Sequence, residues 1–349
     1  MRILHVMAGA KHGGSELIML DSVLALAEAG LAQAVVTRDN SQRRLRAFKA
    51  AGVPVEIADF DKIVRAPTRT RISASVRAFE PDVIHYWLGR AGAYAPGKWR
   101  DISLGWHGGR HKLARFKNCS WHAAATKDIA AHIAAEGGAS DRISVLSPFV
   151  QVEKPQAFDR ALADTPEDSF VFFAIGKSGA RKDWEALIEA AATLDNVLIW
   201  IEEELDPRVR ALAEQTGVAA KLRNVAGLAP RTALMNAADG VVAACGGAAF
   251  ADRVVEAWAL RKPVVALGAC GPAQNEVDVL IAPRGDGQTL RALMQKVLDD
   301  ADLTRKLCDN GARAYRADFN KAAFVRNAMA LYERVRAHTR EAREHASAA

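Results

Sequence analysis

Short apolar runs alternate with longer amphipathic runs along most of the chain, and this alternation limits the possible folds more than any other feature. Residues 3–7, 33–37 and 83–87 are mostly apolar and have the length of strands. Between such runs, segments such as 15–29 repeat apolar residues at helical spacing. Mostly apolar strands are typical of sheets buried on both faces. The alternation therefore predicts a parallel sheet with helices on both sides.

The alternation stops once and then restarts. Pro148, Pro155 and Pro166 interrupt a polar stretch, and a second series of strands and helices begins with the apolar run 170–175. A chain of 349 residues is long enough for two hydrophobic cores. We therefore predict an α/β protein with two Rossmann-like domains, residues 1–155 and 156–320, that face each other across a ligand-binding cleft.

The last predicted helix covers about residues 321–337, and the polar tail from about residue 340 is expected to fray. Apolar residues recur along it at helical spacing. The residues that we expect this helix to bury are Phe324, Val325, Ala328, Leu331, Tyr332 and Val335.

Several classes of protein are disfavoured by composition. No apolar run reaches the roughly 18–20 residues of a membrane-spanning helix. The apolar N-terminal run is too short for a signal peptide. The four cysteines are scattered without a CxxC pair, which fits reduced thiols better than a disulfide framework or a zinc site. We therefore expect a cytoplasmic protein.

The net charge of +6 is unevenly distributed. Residues 1–150 contain 21 Lys and Arg against 13 Asp and Glu, whereas the remainder contains 26 against 28. A basic half favours an anionic partner, such as the inner face of a membrane or a phosphate group. Solubility is the alternative explanation. The basic half carries no recognised nucleic-acid-binding motif, so no nucleic-acid partner is expected.

Gly13 and Gly14 form the first candidate site, directly after the first strand and at the start of a helix. Backbone amides and the positive end of the helix dipole favour an anion there. Glycine allows the backbone to approach a ligand closely. The alternative is a tight turn that binds nothing.

The second candidate site is the segment 176–183, which also lies between a strand and a helix. It contains Lys177, Arg181 and Lys182 at the carboxyl end of a predicted parallel strand, where ligands bind in this class of fold. Lysine is a suitable point charge for phosphate. The alternative is a solvated basic loop.

The third candidate site is a loop of small residues that runs into a helix carrying Glu256. The loop suits close approach of the backbone to an anion, and a carboxylate at Glu256 suits two ribose hydroxyls. The alternative is a surface glutamate. The loop residues are Gly247, Ala248, Ala249, Phe250 and Ala251.

Residues at the ends of two more strands are candidates for an acceptor site. His85 and Trp87 end one strand, and packing of Trp87 in the domain is the alternative. His107 follows another strand and is the stronger functional candidate; we predict that it is catalytic. Arg110 begins a basic segment, 110–117, that would suit an anionic acceptor or a membrane, with a solvated face as the alternative.

Together these segments resemble the family-4 retaining glycosyltransferases of the GT-B fold, over about residues 1–335. The likeness is closest to a bacterial branch associated with lipopolysaccharide and other surface polysaccharides. The matching stretches are HGGSE, EPDVIHYW, IGKSGARKDWEALIEAAATL, AADGVVAAC, VVEAWALRKPVVA and GPAQNEV. The resemblance implies a nucleotide-sugar donor, a glycan or lipid-linked acceptor, and a C-terminal helix, 321–349, that crosses back towards the first domain.

The resemblance also implies a role for individual positions. Gly13 and Gly14 match a loop beside the donor diphosphate and the acceptor. Lys177 and Lys182 match cations that neutralise the diphosphate, and Glu256 matches the ribose ligand. By the same resemblance, Gly227 and Leu228 match the loop beside the base, and His107 falls where many members carry a histidine near the donor sugar.

The sequence departs from the family pattern at two places. Ala248 stands where the first glutamate of the E-x7-E element is expected. Three glutamates, 202–204, replace the usual small residues after the strand 197–201; we expect them to face solvent, or else to hold the cleft lysines. The substitution at Ala248 motivates an alternative function, a non-catalytic homologue that binds nucleotide or glycan or scaffolds a partner enzyme. For an active enzyme the resemblance to GT-B glycosyltransferases, which typically need no bound metal, implies no metal or other cofactor, and the sequence has no His/Cys ligand cluster.

Overall fold

The computed structural model of the chain describes residues 1–11, 13–61, 63–176, 179–244 and 251–348. The chain divides into two compact units. Unit 1 consists of Met1–Phe149 and Lys321–Ala349, and unit 2 consists of Val150–Asn320. None of the helices in the described ranges is long and apolar enough to cross a membrane.

Unit 1 contains a parallel sheet in the order β3-β2-β1-β4-β5-β6-β7. Its strands are β1 (Arg2–Met7), β2 (Ala32–Thr37), β3 (Val55–Ile57), β4 (Val83–Trp87), β5 (Ser103–His107), β6 (Trp121–Ala124) and β7 (Ile143–Val145). The helices between them are α1 (Gly14–Glu28), α2 (Gln42–Ala50), α3 (Ala66–Phe79), α4 (Leu88–Gly92) and α5 (Lys127–Ala135).

Alternate residues of the unit 1 strands enter two separate cores, as the pleat of a strand requires. Ile3 and Met7 of β1 pack with α1, α2 and α5 on one face. Leu4 and Val6 pack with α3 and α4 on the other. Because both faces are covered, the strands are apolar almost throughout.

Unit 2 contains a parallel sheet in the order β10-β9-β8-β11-β12-β13. Its strands are β8 (Phe170–Ile175), β9 (Val197–Ile201), β10 (Leu222–Asn224), β11 (Gly240–Ala243), β12 (Val264–Leu267) and β13 (Leu280–Ala282). Helices α6 (Arg181–Ala192), α7 (Pro207–Gln215), α10 (Gly287–Asp299) and α11 (Ala301–Ala314) pack on one face. Helices α8 (Arg231–Ala237) and α9 (Ala251–Ala259) pack on the other.

The last helix, α12 (Lys321–Ala348), belongs to unit 1. Five of its six predicted core residues are buried in the core that contains α1, and Val325 packs partly buried against it. The prediction that the chain frays from about Arg340 is wrong, because the helix continues to Ala348. The segment 340–348 is rich in Ala, Glu and Arg, which have high intrinsic helix propensity, so it needs no apolar face to remain helical.

In each sheet the order of strands reverses at one point, between β1 and β4 in unit 1 and between β8 and β11 in unit 2. Ligands of open parallel sheets bind outside the carboxyl ends of the strands at such a point. The loop with Gly13 follows β1, and the segment 176–183 follows β8. The prediction of two parallel, Rossmann-like sheets is therefore confirmed, and the two glycine-containing segments border their reversal points.

Candidate functional site

The start of α6 in unit 2 is built around the side chain of Trp184. A Cβ on Gly176 would lie 2.6 Å from the Trp184 ring, so the loop after β8 can pass this close to α6 only with glycine at that position. Lys182 is exposed in the first turn of α6. Lys177 lies outside the described residues. The exposed cation at Lys182 and the positive end of the α6 helix dipole favour an anion here.

Asp183 fixes this helix start to the loop that follows β13. Its carboxylate is 1% exposed and accepts hydrogen bonds from Arg284 Nη2 at 2.6 Å and from the Gly285 amide at 3.1 Å. The pair brings the largely exposed Arg284 side chain to the same edge as Lys182. Sequence reasoning missed Arg284, because the two residues are about a hundred positions apart and no local pattern links them.

Glu256 lies on α9 and is only 6% exposed, so the alternative of a surface glutamate is wrong. Its Oε1 accepts a hydrogen bond from Thr232 Oγ1 at 3.0 Å, and its Oε2 lies 3.3 Å from Arg253 Nη1. Thr232 and Arg253 hold the carboxylate in one orientation at the side of the sheet where α8 and α9 begin. The loop predicted to precede it, Gly247–Phe250, lies outside the described residues, and Ala251 is the first residue of α9.

The loop with Gly227 and Leu228 follows β10, next to the end of β9. Gly227 has a φ of +77°, which favours glycine, and Leu228 is 46% exposed. The amide of Val225 donates to the carbonyl of Ile201 and so ties the loop to β9.

The glutamates after β9 do not all face solvent as predicted. The Glu202 carboxylate, mostly buried, pairs with Arg231, the first residue of α8. Glu204 is exposed and lies 3.6 Å from Arg210. The described lysines are not their partners. Pairing with Arg231 offsets the negative charge of Glu202 near the predicted anion site, a compensation that the sequence analysis did not foresee.

In unit 1, the loop after β1 is closed around the side chain of Glu16. The Ala10 amide donates to Glu16 Oε1 at 2.7 Å, and a Cβ on Gly13 would lie 2.2 Å from Glu16 Oε2. The Glu16 carboxylate therefore lies in the loop for which the sequence predicts either an anion site or a tight turn that binds nothing. Glycine at position 13 is what allows it to do so.

Arg44 supports this loop from the neighbouring helix. The residue is 4% exposed and donates to the Ala10 carbonyl at 3.3 Å and to Asn40 Oδ1 at 2.7 Å, while Asn40 donates to the Gly9 carbonyl. Burial lowers the pKa of Arg44, and the charge of Glu16 acts in the opposite direction. The loop is therefore held in place before any ligand binds. Asn40 and Arg44 follow β2 and were not predicted, since their role depends on where β2 lies in the sheet.

His85 and Trp87 are core residues rather than acceptor contacts. Both side chains point from β4 into the core with α1 and α12, and both are completely or almost completely buried. Trp87 Nε1 donates to His5 Nδ1 at 3.2 Å, and His85 Nδ1 lies 2.8 Å from the Tyr332 hydroxyl of α12. The predicted acceptor role of His85 and Trp87 is thus corrected, and the packing alternative holds for Trp87.

His107 ends β5 but is fully buried beneath the Phe116 ring, 4.0 Å away between centroids. Its Nε2 lies 3.1 Å from His122 Nδ1. Burial, with smaller contributions from His122 and two other histidines, lowers the pKa of His107 to about 3. A neutral imidazole with no exposed surface cannot contact a donor in this conformation, so the prediction that His107 is catalytic is corrected to a role in packing.

Arg110 lies at the carboxyl edge as predicted, but it is paired. Its Nε lies 3.0 Å from Asp128 Oδ2 in the first turn of α5, and both side chains are exposed.

Within the described ranges, no group of three or more His, Cys, Asp and Glu residues is arranged to hold a metal ion.

Comparisons with known proteins agree with this architecture. No family model matches the chain. The chain is 26% identical over 340 residues to the lipopolysaccharide core biosynthesis glycosyltransferase LpsD of Rhizobium meliloti strain 1021, and the match covers 96% of this chain and 98% of LpsD.

Two solved structures share the fold over nearly their whole length. A glycosyltransferase from Rickettsia africae ESF-5 matches with a TM-score of 0.76 and 15% identity, over 96% of this chain and 98% of that one. Anabaena Alr3699/HepE in complex with UDP matches with a TM-score of 0.70 and 17% identity, over 94% and 98%. With its two Rossmann-like sheets, the chain has the GT-B glycosyltransferase fold.

Proposed function

We propose that this protein is a glycosyltransferase of lipopolysaccharide core biosynthesis. It transfers a sugar from a nucleotide-sugar donor to a lipopolysaccharide-type or other glycan or lipid-linked acceptor, with retention of configuration. The observation that carries the proposal is the near end-to-end similarity to LpsD. HepE, which has the same fold, forms a complex with UDP and supports a nucleotide-bound donor. Retention rests on the resemblance to the retaining family.

The donor site in this proposal is the carboxyl edge of the unit 2 sheet. As the bond between the sugar and the diphosphate breaks, negative charge develops on the leaving diphosphate. Lys182, Arg284 and the amides at the start of α6 would stabilise that charge, the kind of preorganised electrostatic interaction that is commonly the largest in catalysis. The Glu256 carboxylate, oriented by Thr232 and Arg253, would accept hydrogen bonds from the ribose. No metal is required in this scheme.

Nucleotide release from a panel of UDP-, GDP- and ADP-sugars, with cell-envelope extract as the acceptor, tests the function. We expect one donor class to be turned over and the new linkage to retain the anomeric configuration when examined by NMR. A folded protein that binds no nucleotide and turns over no donor would rule the function out. Nucleotide binding without turnover would favour the non-catalytic alternative.

Lys182→Ala tests the diphosphate contact. Removing one preorganised charge from such a site commonly lowers turnover by about 10²–10³-fold. Lys306→Ala is the matched control, because Lys306 is an exposed lysine in the middle of α11. Both variants are expected to keep the wild-type melting temperature. Equal activity of the two variants would show that Lys182 does not contact the donor.

Glu256→Gln tests the ribose contact with little change in shape. The amide oxygen of Gln still accepts from Thr232, but the charge that pairs with Arg253 is lost. We expect kcat/KM for the donor to fall by about tenfold or more, since hydrogen bonds to charged groups contribute about 1.5–3 kcal/mol. Unchanged donor kinetics in the variant would place the ribose elsewhere.

A further inference from the structure

Unit 1 contains a groove of about 560 Å³ that the proposed donor site does not use. Its lining comes from the segments that follow β3, β4 and β5, so it opens at the carboxyl edge of the sheet. We call it the cationic groove, because it is lined by Arg65, Arg90, Lys112 and Arg115, with Tyr94 as its aromatic wall. The described residues that line it include no carboxylate.

One arginine of the cationic groove is hydrogen-bonded to the backbone, and the other two lie against groove residues. Arg90 is partly buried and donates to the Phe60 carbonyl at 3.0 Å. Arg115 lies against α4, where a Cβ on Gly89 would be only 2.8 Å from its Cδ. The Arg65 guanidinium lies 5.8 Å from the centre of the Tyr94 ring. Because the hydrogen bond to the Phe60 carbonyl fixes Arg90, that side chain would lose little conformational entropy when a ligand binds.

A carboxylate beside the cationic groove, Asp61, offsets only part of the charge of its four cations. Asp61 Oδ1 accepts hydrogen bonds from the amides of Ile63 and Val64 at 2.7 and 2.8 Å. These bonds lower the pKa of Asp61, with a smaller contribution from Arg90, so the carboxylate is ionised and committed to the loop. The groove therefore keeps an excess of positive charge in a concave surface, which attracts anions.

Arginine and lysine in such a setting match a phosphate group. Guanidinium groups donate two parallel hydrogen bonds to phosphate oxygens, and an ammonium adds a point charge. The volume lies within the range of about 300–1,000 Å³ that ligand sites occupy. A sugar that carries a phosphate would fit this volume.

We propose that the cationic groove binds a phosphate group carried by the acceptor. Assigning the phosphate to the acceptor rests on the proposed function, but phosphate binding by the groove does not. Two sources share this chemistry, a phosphorylated glycan and a lipid headgroup. The loop beside the groove exposes Ile63 by 92% and Val64 by 57%, so a lipid surface would also contact these two apolar side chains.

Binding of mannose 6-phosphate and of mannose to the full chain, followed by ligand-observed NMR, tests the site. We expect only the phosphorylated sugar to bind, and Arg65→Ala and Arg115→Ala each to weaken binding by about tenfold or more, since each removes a charge-assisted hydrogen bond. Arg46→Ala is the control, because Arg46 is an exposed arginine on α2 outside the groove. Equal binding by all three variants would place the phosphate outside the cationic groove and overturn the proposal.

Flotation with phosphatidylglycerol or phosphatidylcholine vesicles distinguishes the two sources. A lipid headgroup predicts binding to the anionic vesicles that is lost in Arg115→Ala and in Ile63→Ser. A glycan phosphate predicts that Ile63→Ser leaves the binding of mannose 6-phosphate unchanged. If neither mannose 6-phosphate nor phosphatidylglycerol vesicles bind the wild-type chain, the proposal is overturned, whatever the outcome of the donor screen.

Discussion

At the scale of single residues, the loop after β1 shows how a glycine leaves space for a neighbouring side chain. Gly13 is glycine because the Glu16 carboxylate occupies the space of a Cβ, whereas nothing lies within 4 Å of the position that a Cβ on Gly14 would take. Two adjacent glycines therefore have different roles. The two glycines in HGGSE indicated a site, but only the structure shows that Gly13 is the one required to leave space for Glu16.

Alanine at each position separates these roles. Gly13→Ala should displace Glu16 from the Ala10 amide and lower the free energy of unfolding by about 1–2 kcal/mol, the cost of losing a hydrogen bond and introducing a clash. Gly14→Ala should leave stability unchanged or raise it slightly, since alanine favours the helix. Urea denaturation of both variants measures the difference. Equal stability would mean that Glu16 does not occupy the loop.

Asp183 and Arg284 offer a second comparison between two partners of one ion pair. Arg284→Ala leaves a carboxylate that is buried without its counter-charge, whereas Asp183→Asn keeps an acceptor for the Gly285 amide and leaves an exposed arginine. We expect Arg284→Ala to cost about 3 kcal/mol and Asp183→Asn about half as much. Thermal or urea unfolding gives the order. A larger loss of stability in Asp183→Asn than in Arg284→Ala would contradict a buried carboxylate that depends on Arg284 for its counter-charge.

At the scale of helices and strands, the sequence predicted the elements that carry a strong apolar pattern. The strand 170–175 and the helix from Lys321 were found with the right starts, because their inward residues form unbroken patterns. Helix α3 was missed, since only Thr68, Ile72 and Val76 of its fourteen residues are buried. A helix that covers only a small part of a sheet leaves too weak a signal in one sequence.

The same limit applies to the candidate sites. Lys182 and Glu256 were found because they follow strands and lie near glycine-containing or small-residue loops. Thr232, Arg231 and Arg284 were not found, since each reaches its partner across the sheet rather than along the chain. His85 was predicted to contact the acceptor and His107 to be catalytic because both end strands, yet both have partners inside the core.

Helix α12 provides a test at this scale. A chain that stops after Asn320 lacks the helix residues that complete the core of unit 1, including Phe324 and Tyr332. A chain that stops after Arg340 lacks only the polar extension. We expect the shorter chain to be insoluble and the longer one to melt within a few degrees of the full chain. Soluble, cooperatively folded protein from the shorter chain would show that α12 is dispensable.

At the scale of the whole molecule, the two units differ sharply in their titratable groups. All nine histidines lie in unit 1, and none lies in 150–320. Burial lowers the pKa of His5 and His122 to about 4 and that of His107 to about 3. In the folded state these rings therefore stay neutral at pH values where the unfolded chain, with histidine pKa near 6.5, takes up protons.

Unit 1 should therefore be the acid-sensitive half. The pKa values of these histidines are lower in the folded state than in the unfolded chain. The free energy of unfolding is therefore at its full value above pH 6.5 and falls as the pH drops towards about 4. The total loss is on the order of a few kcal/mol. Hydrogen exchange at pH 7 and pH 5, corrected for intrinsic rates, should show lost protection in β1, β4 and β5 and little change in β8 and β11. A uniform loss across both sheets would contradict this.

The assignment of α12 to unit 1 also has a consequence for the order in which the protein is completed during synthesis. The first 149 residues leave the ribosome early, but the helix that covers their core is translated only after the whole of Val150–Asn320. At about 5–20 residues per second, that interval lasts on the order of ten to thirty seconds. Unit 2 is continuous in sequence and can finish first. Until α12 is translated, the core that it completes with α1, α2 and α5 stays partly exposed, and chaperones bind exposed apolar surface of this kind.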